Sequence, residues 1–262
     1  MDKARKYAYV VLLLLCVAVP IAFVVFLWQT PMMPQDLSSY DYFAVTAPDG
    51  AESVYQAGES AFDGAAAAFA QASAVKALPG ELDDAVFLTT EWIRDGRAYA
   101  WRLYLLPAVG EGYLVDERGT PFRLSEEGVL FFLQSAFAAP LLIGDEPPAL
   151  ILAEREVPFS LCRWTYTITP SGAHAVSVSS GEYINEEGKS LSVDLSSFAP
   201  QFAEQPKKTI YKIYSLADEI MSSEELPDLA ALPEGQYQLI LVAEWQRGNT
   251  LVRAGYSFLL ER

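Results

Sequence analysis

The chain has 262 residues and a formal net charge of −16, with a sequence pI near 4.4. Its 52% hydrophobic and 13% aromatic content is ample for a buried core, which argues against a disordered chain. So acidic a surface repels phosphate backbones and anionic headgroups; this argues against nucleic acid as a partner and leaves cationic peptides or divalent ions compatible.

Residues 1–6 carry Lys3, Arg5 and Lys6 against a single acid, Asp2. Residues 7–28 then carry no charge. A bilayer core of about 30 Å needs roughly 20 apolar residues in a helix, so this run predicts a membrane-spanning helix. Pro20 within it is tolerable, and Tyr7, Tyr9 and Trp28 near its ends suit the headgroup region. No lysine or arginine follows in residues 29–43. The positive-inside rule therefore predicts a single-pass protein at the cell membrane, with a cytoplasmic N-terminus and all later domains outside. The run is longer than a signal-peptide core and lacks a small-residue cleavage pattern, which favours a retained anchor. Leu15 before Cys16 departs from a lipobox, so Cys16 reads as an apolar thiol in the span.

Residues 29–47, with Pro31 and Pro34, predict a polar stalk. Residues 48–139 predict a small α+β domain of order β-α-β-β-β-β-α. A strand covers SVYQAG, and an alanine-rich helix runs over 62–76 with Asp63 as its cap. Two strands then flank the turn Asp95-Gly96, and two more flank the turn 116–119. Ser125 caps a second helix, with Glu126 and Glu127 placed favourably in its first turn. Pro140, Gly144, Pro147 and Pro148 mark a linker over 140–148.

Residues 149–262 predict an Ig-like antiparallel β-sandwich. Cys162, Trp164, Tyr166 and Ile168 alternate with polar residues, as a half-buried strand does. Tyr237, Leu239, Leu241, Ala243 and Trp245 share one face of a long strand. After Gly248-Asn249, residues Val252 to Leu260 repeat the alternation. SLADEIMSSEELPDL between these strands reads as a short helix or an acidic loop.

The combination of Gly235, Tyr237, Ala243 and Trp245 with Tyr256 and Phe258, beside the W-x-Y pair Trp164 and Tyr166, is similar to the C-terminal β-sandwich of uncharacterised envelope proteins of Gram-positive bacteria. In those proteins the first half carries a YLVD..G..F.L hairpin before a helix, as residues 113–124 do here. The resemblance covers most of the ectodomain and implies an envelope setting in a Gram-positive anaerobe. It carries no activity, so no functional residue is transferred.

Catalytic constellations are scarce. His174 is the only histidine and sits beside a turn, so a nucleophilic triad lacks its base. Zinc needs three or four His or Cys ligands, and Cys162 is the only cysteine outside the span. Cys16 and Cys162 lie in different environments and cannot pair within one chain. No phosphate-binding glycine loop occurs.

Adjacent carboxylates occur at Asp83-Asp84, Asp116-Glu117, Asp145-Glu146, Glu186-Glu187 and Glu224-Glu225. Their turn-rich contexts read as solvated surface. Trp92, Trp101, Trp164 and Trp245 follow period-2 patterns that read as core. The sequence thus predicts no catalytic, cofactor or metal residue. It predicts a non-enzymatic interaction or sensing protein of the envelope, whose partner is another envelope or membrane protein. The alternatives are a carboxylate-dependent wall hydrolase, with two carboxyls across a cleft and one raised pKa, and divalent-ion binding by acidic loops.

Overall fold

The computed structural model describes residues 37–80, 82, 85–171, 174–188, 190–193, 198–216 and 218–262, together with Cys16, Val19 and Pro20. The span expected over residues 7–28 lies outside the described residues apart from those last three. Among the described residues no helix is long and apolar enough to cross a membrane. This corrects the expected fold class of a transmembrane helix, an α+β domain and an Ig-like sandwich: the protein is mostly β-sheet.

The first half is built on one sheet. Its strands are β1 (Tyr42–Thr46), β2 (Glu52–Gln56), β3 (Ser73–Ala74), β4 (Val86–Arg94), β5 (Arg97–Leu106), β6 (Glu111–Asp116) and β7 (Pro121–Arg123). They run in the spatial order β2-β1-β4-β5-β6-β7-β3, each antiparallel to its neighbour. The β4–β5 turn holds Asp95 at φ 51° and Gly96 at φ 71°. Positive φ at both central residues matches the twist of the flanking strands.

Helices α1 (Ser60–Ala70) and α2 (Glu126–Gln134) cover the inner face of this sheet. Phe62, Phe69 and Phe132 on the helices bury against Phe43, Trp92 and Trp101 on the strands. The Ser125 side chain accepts the Gly128 amide at 3.1 Å and closes the N-terminus of α2 as expected. Asp63 does not cap α1, which starts at Ser60; it lies inside the first turn. That helix stops at Ala70, because Ser73 and Ala74 turn away to pair with β7. The expected stalk is likewise shorter. Leu37 is buried, and β1 sits between β2 and β4 with Phe43, Ala44 and Val45 enclosed.

The second half begins with β8 (Leu150–Leu152), β9 (Arg155–Val157), β10 (Leu161–Ile168), β11 (Val176–Ser179) and β12 (Tyr183–Ile184). It continues with β13 (Leu191–Val193), β14 (Gln201–Phe202), β15 (Lys208–Ser215), β16 (Asp218–Ser223), β17 (Gln236–Arg247) and β18 (Thr250–Glu261). An eight-stranded sheet runs β11-β10-β18-β17-β15-β16, with β12 also on β10 and β13 on β18. A small sheet of order β14-β8-β9 forms the second layer.

This departs from an Ig-like sandwich in two ways. The layers are very unequal, and β13 pairs with β18 in parallel. The layers nonetheless bury one another. Phe202 of the small sheet meets Trp245 and Tyr256 edge-on at 5.4 and 6.0 Å. The Trp245 indole donates to the Glu204 carbonyl at 3.0 Å.

Residues 140–148 are pinned rather than loose. The Trp164 indole donates to the Asp145 carbonyl at 2.9 Å, and the Gly181 amide donates to the Ala139 carbonyl at 2.8 Å. One continuous hydrophobic core links the two halves.

Candidate functional site

The aromatic and sulfur candidates fall in the core. Trp92, Trp101, Trp164 and Trp245 are all buried. Cys162 is fully enclosed, and burial pushes its thiol up to about 12, the opposite of what a nucleophilic cysteine needs. His174 is exposed beside β11.

The acidic pairs separate by role. Asp83-Asp84 lies outside the described residues. Asp116 shapes its turn by accepting the Arg118 and Thr120 amides at 2.9 and 2.7 Å, and Glu117 accepts the Ala100 amide at 3.2 Å. Glu224 is paired with Lys208 at 2.7 Å. Asp145 faces Arg247 at 3.8 Å. Among the described residues no three His, Cys, Asp or Glu side chains are placed to hold one metal ion.

Glu146 and the pair Glu186-Glu187, distant in sequence, reach the same groove, joined there by Glu156. The groove encloses about 760 Å³ and its described lining includes no lysine or arginine. One wall is the chain entering β8, with Pro147 and Pro148, and the end of β9. The other is β12 and the 3-10 turn Glu186–Gly188.

Local chemistry explains why this wall is rigid. β12 is held on β10 through Leu161↔Ile184 and Cys162↔Tyr183. The Asn185 amide donates to the Ser160 carbonyl at 3.0 Å, and its side-chain oxygen accepts the Glu187 amide at 3.0 Å. Gly188 packs against the Phe159 carbonyl so closely that an added Cβ would lie 1.9 Å from that oxygen. The glutamate-bearing turn therefore requires glycine at this position.

The groove presents an aromatic surface between its carboxylates. Phe159 and Tyr183 rings lie 6.0 Å apart, and Tyr183 reaches Trp164 at 6.1 Å. Tyr183 is 44% and Ile184 72% exposed, high values for such side chains on a folded surface. Tyr256 forms part of the lining, with its hydroxyl donated to the Pro148 carbonyl at 3.2 Å. Burial, and secondarily the Cys162 thiol, raise the Tyr256 pKa, so this phenol keeps its proton. An exposed aromatic strip between carboxylates can take alkyl or ring groups and hold positive charge beside them.

A second cavity, of about 410 Å³, lies where the halves meet, lined in part by Val86, Pro107, Ile143, Trp164 and Tyr166. Its two charged residues, Arg247 and Asp145, face each other at 3.8 Å, and Arg247 is also engaged by Glu204 at 3.2 Å. It is therefore less suited to recruiting a charged ligand.

Sequence reasoning noticed Glu146 and Glu186-Glu187 as separate surface pairs and missed Glu156, Phe159 and Tyr183. No local signal joins these residues; they come from the chain before β8, from β9 and the loop after it, and from β12 and its 3-10 turn. The chain matches no protein-family model, no curated protein and no solved structure.

Proposed function

We propose that this is a non-catalytic, extracytoplasmic binding protein of the cell envelope, and that its groove receives a cationic segment of another protein. The observation that carries the reading is the convergence of Glu146, Glu156, Glu186 and Glu187 around exposed Tyr183 and Ile184. The charge of −16 over the chain adds long-range attraction for a basic partner. The envelope setting rests on the uncharged stretch over residues 7–28 and on the resemblance to Gram-positive envelope proteins.

Two kinds of contact would share the binding. Carboxylates at the rim supply weak, salt-screened pairing with lysine or arginine. The aromatic strip supplies contact that salt leaves intact. Calorimetric titration of the full chain with an arginine-rich peptide tests this. Binding should weaken as salt rises, and a glutamate-rich peptide of equal length should not bind. Glu186→Gln with Glu187→Gln should lower affinity about fivefold, the loss expected for two exposed charge pairs. Equal binding of both peptides, or of neither, would overturn the reading. Release of sugar from wall polymer by the purified chain would replace it with the hydrolase.

A further inference from the structure

Strand β16 ends the spatial order of the eight-stranded sheet, so one side of its backbone has no strand partner among the described residues. Such an edge is a template for pairing, and soluble proteins usually blunt it with lysine, proline or cover. Here no lysine or arginine occurs anywhere in residues 213–246.

Two of the nearby carboxylates are turned away from that edge. Glu219 accepts from the Lys212 ammonium at 2.9 Å and from the Tyr214 hydroxyl at 3.0 Å, both on the inner neighbour β15. Glu224 is drawn to Lys208 on the same strand at 2.7 Å. A register shift at Ile213/Tyr214 twists the hairpin, leaving Met221, Ser222 and Ser223 as the paired stretch beyond the bulge, and the strand ends there. The strand exposes Ile220 at 47% and Met221 at 38%, and Leu226, three residues past its end, is 43% exposed.

We propose that this edge is a second docking site, which takes an extended basic segment of a partner protein as an added strand. Backbone pairing would supply affinity, and Ile220 and Met221 would contact apolar side chains of the incoming strand. Charge selects the occupant. Residues 208–228 hold Lys208 and Lys212 against Asp218, Glu219, Glu224, Glu225 and Asp228. A second copy of this chain would set acid against acid, whereas a strand alternating apolar residues with lysine or arginine complements the edge. The site lies on the opposite flank of the sheet from the groove, which is built against β10 and β12. It does not depend on the groove being occupied.

Amide hydrogen exchange on the full chain, with and without a short peptide of alternating lysine and valine, tests the proposal. New protection should appear over residues 218–223. Ile220→Lys combined with Glu225→Lys changes only exposed side chains and should weaken the peptide about tenfold, with an unchanged melting temperature. Glu186→Gln with Glu187→Gln should leave protection at 218–223 intact, so the two sites fail or stand separately. Protection confined to residues 183–187, no protection at all, or protection that rises with protein concentration alone would each overturn the proposal.

Discussion

Replacing Thr90 with valine should stabilise the protein. Thr90 lies in β4 between Val45 of β1 and Trp101 of β5, and its exposure is 0%. Its hydroxyl oxygen has no hydrogen-bond partner among the described residues. In the unfolded chain that hydroxyl is hydrated; folding strips the water and provides no replacement. Stranding a hydroxyl in this way costs about 1–3 kcal/mol. Valine keeps the β-branched shape and strand preference of threonine and puts a methyl group where the hydroxyl was. The slightly larger volume in a packed core takes back part of the gain, leaving roughly 1–2 kcal/mol. For a chain of this size that is a rise in Tm of about 2–8 °C. Urea titration should show a higher midpoint with an unchanged m value. Thr90→Ser keeps the hydroxyl and loses the methyl, and should cost about 1 kcal/mol. A lower midpoint for Thr90→Val would refute the reasoning, because it would mean that the hydroxyl has a partner in solution.

Two further outcomes follow from the core. Cys162 keeps its proton in the folded state up to about 12, whereas an exposed thiol releases it near 9.0. Its contribution to stability is therefore complete below pH 9.0 and lost as pH rises through about 12. The urea midpoint should fall over that window, and Cys162→Ala should flatten the slope; Tyr256, raised in the same direction, keeps the slope from vanishing. Gly144→Ala should destabilise by about 1–3 kcal/mol. Its Cβ would lie 2.7 Å from the Tyr166 hydroxyl and 2.8 Å from Trp164 Cδ1, so residues 140–148 must shift. A lower Tm with altered tryptophan emission reports this, and an unchanged Tm would show that the segment has slack.

Elements governed by neighbours in sequence were legible. Asp95-Gly96 and Gly248-Asn249 announce hairpins because positive φ is demanded locally, and Ser125 announces its helix because the cap lies within the same turn. Strands that depend on distant partners were not. Phe43, Ala44 and Val45 are enclosed together, so β1 shows no alternation and reads as the end of a proline-bearing stalk. β16 has one strong strand former, Ile220, among Asp218, Glu219, Met221 and two serines, and is held by the ladder with β15. The groove was the least legible feature, since its carboxylates sit on the chain before β8, on β9 and on the 3-10 turn Glu186–Gly188, with no pattern among them.

The position of β18 at the centre of the second sheet bears on how the chain acquires its shape during synthesis. The strands β4 to β7 pair with their immediate successors and can close as they emerge. β10 must wait, since Cys162 meets Ala254 across about ninety intervening residues. Until β17 and β18 are made, β10 can pair only with the short strands β11 and β12, and Trp164 and Tyr166 lack the long strands they pack among. A nascent chain paused in that interval would expose aromatic surface beside an already formed first half, a state prone to aggregation. The rate at which the final hairpin appears, rather than the stability of the finished sheet, would then govern how much protein escapes that fate.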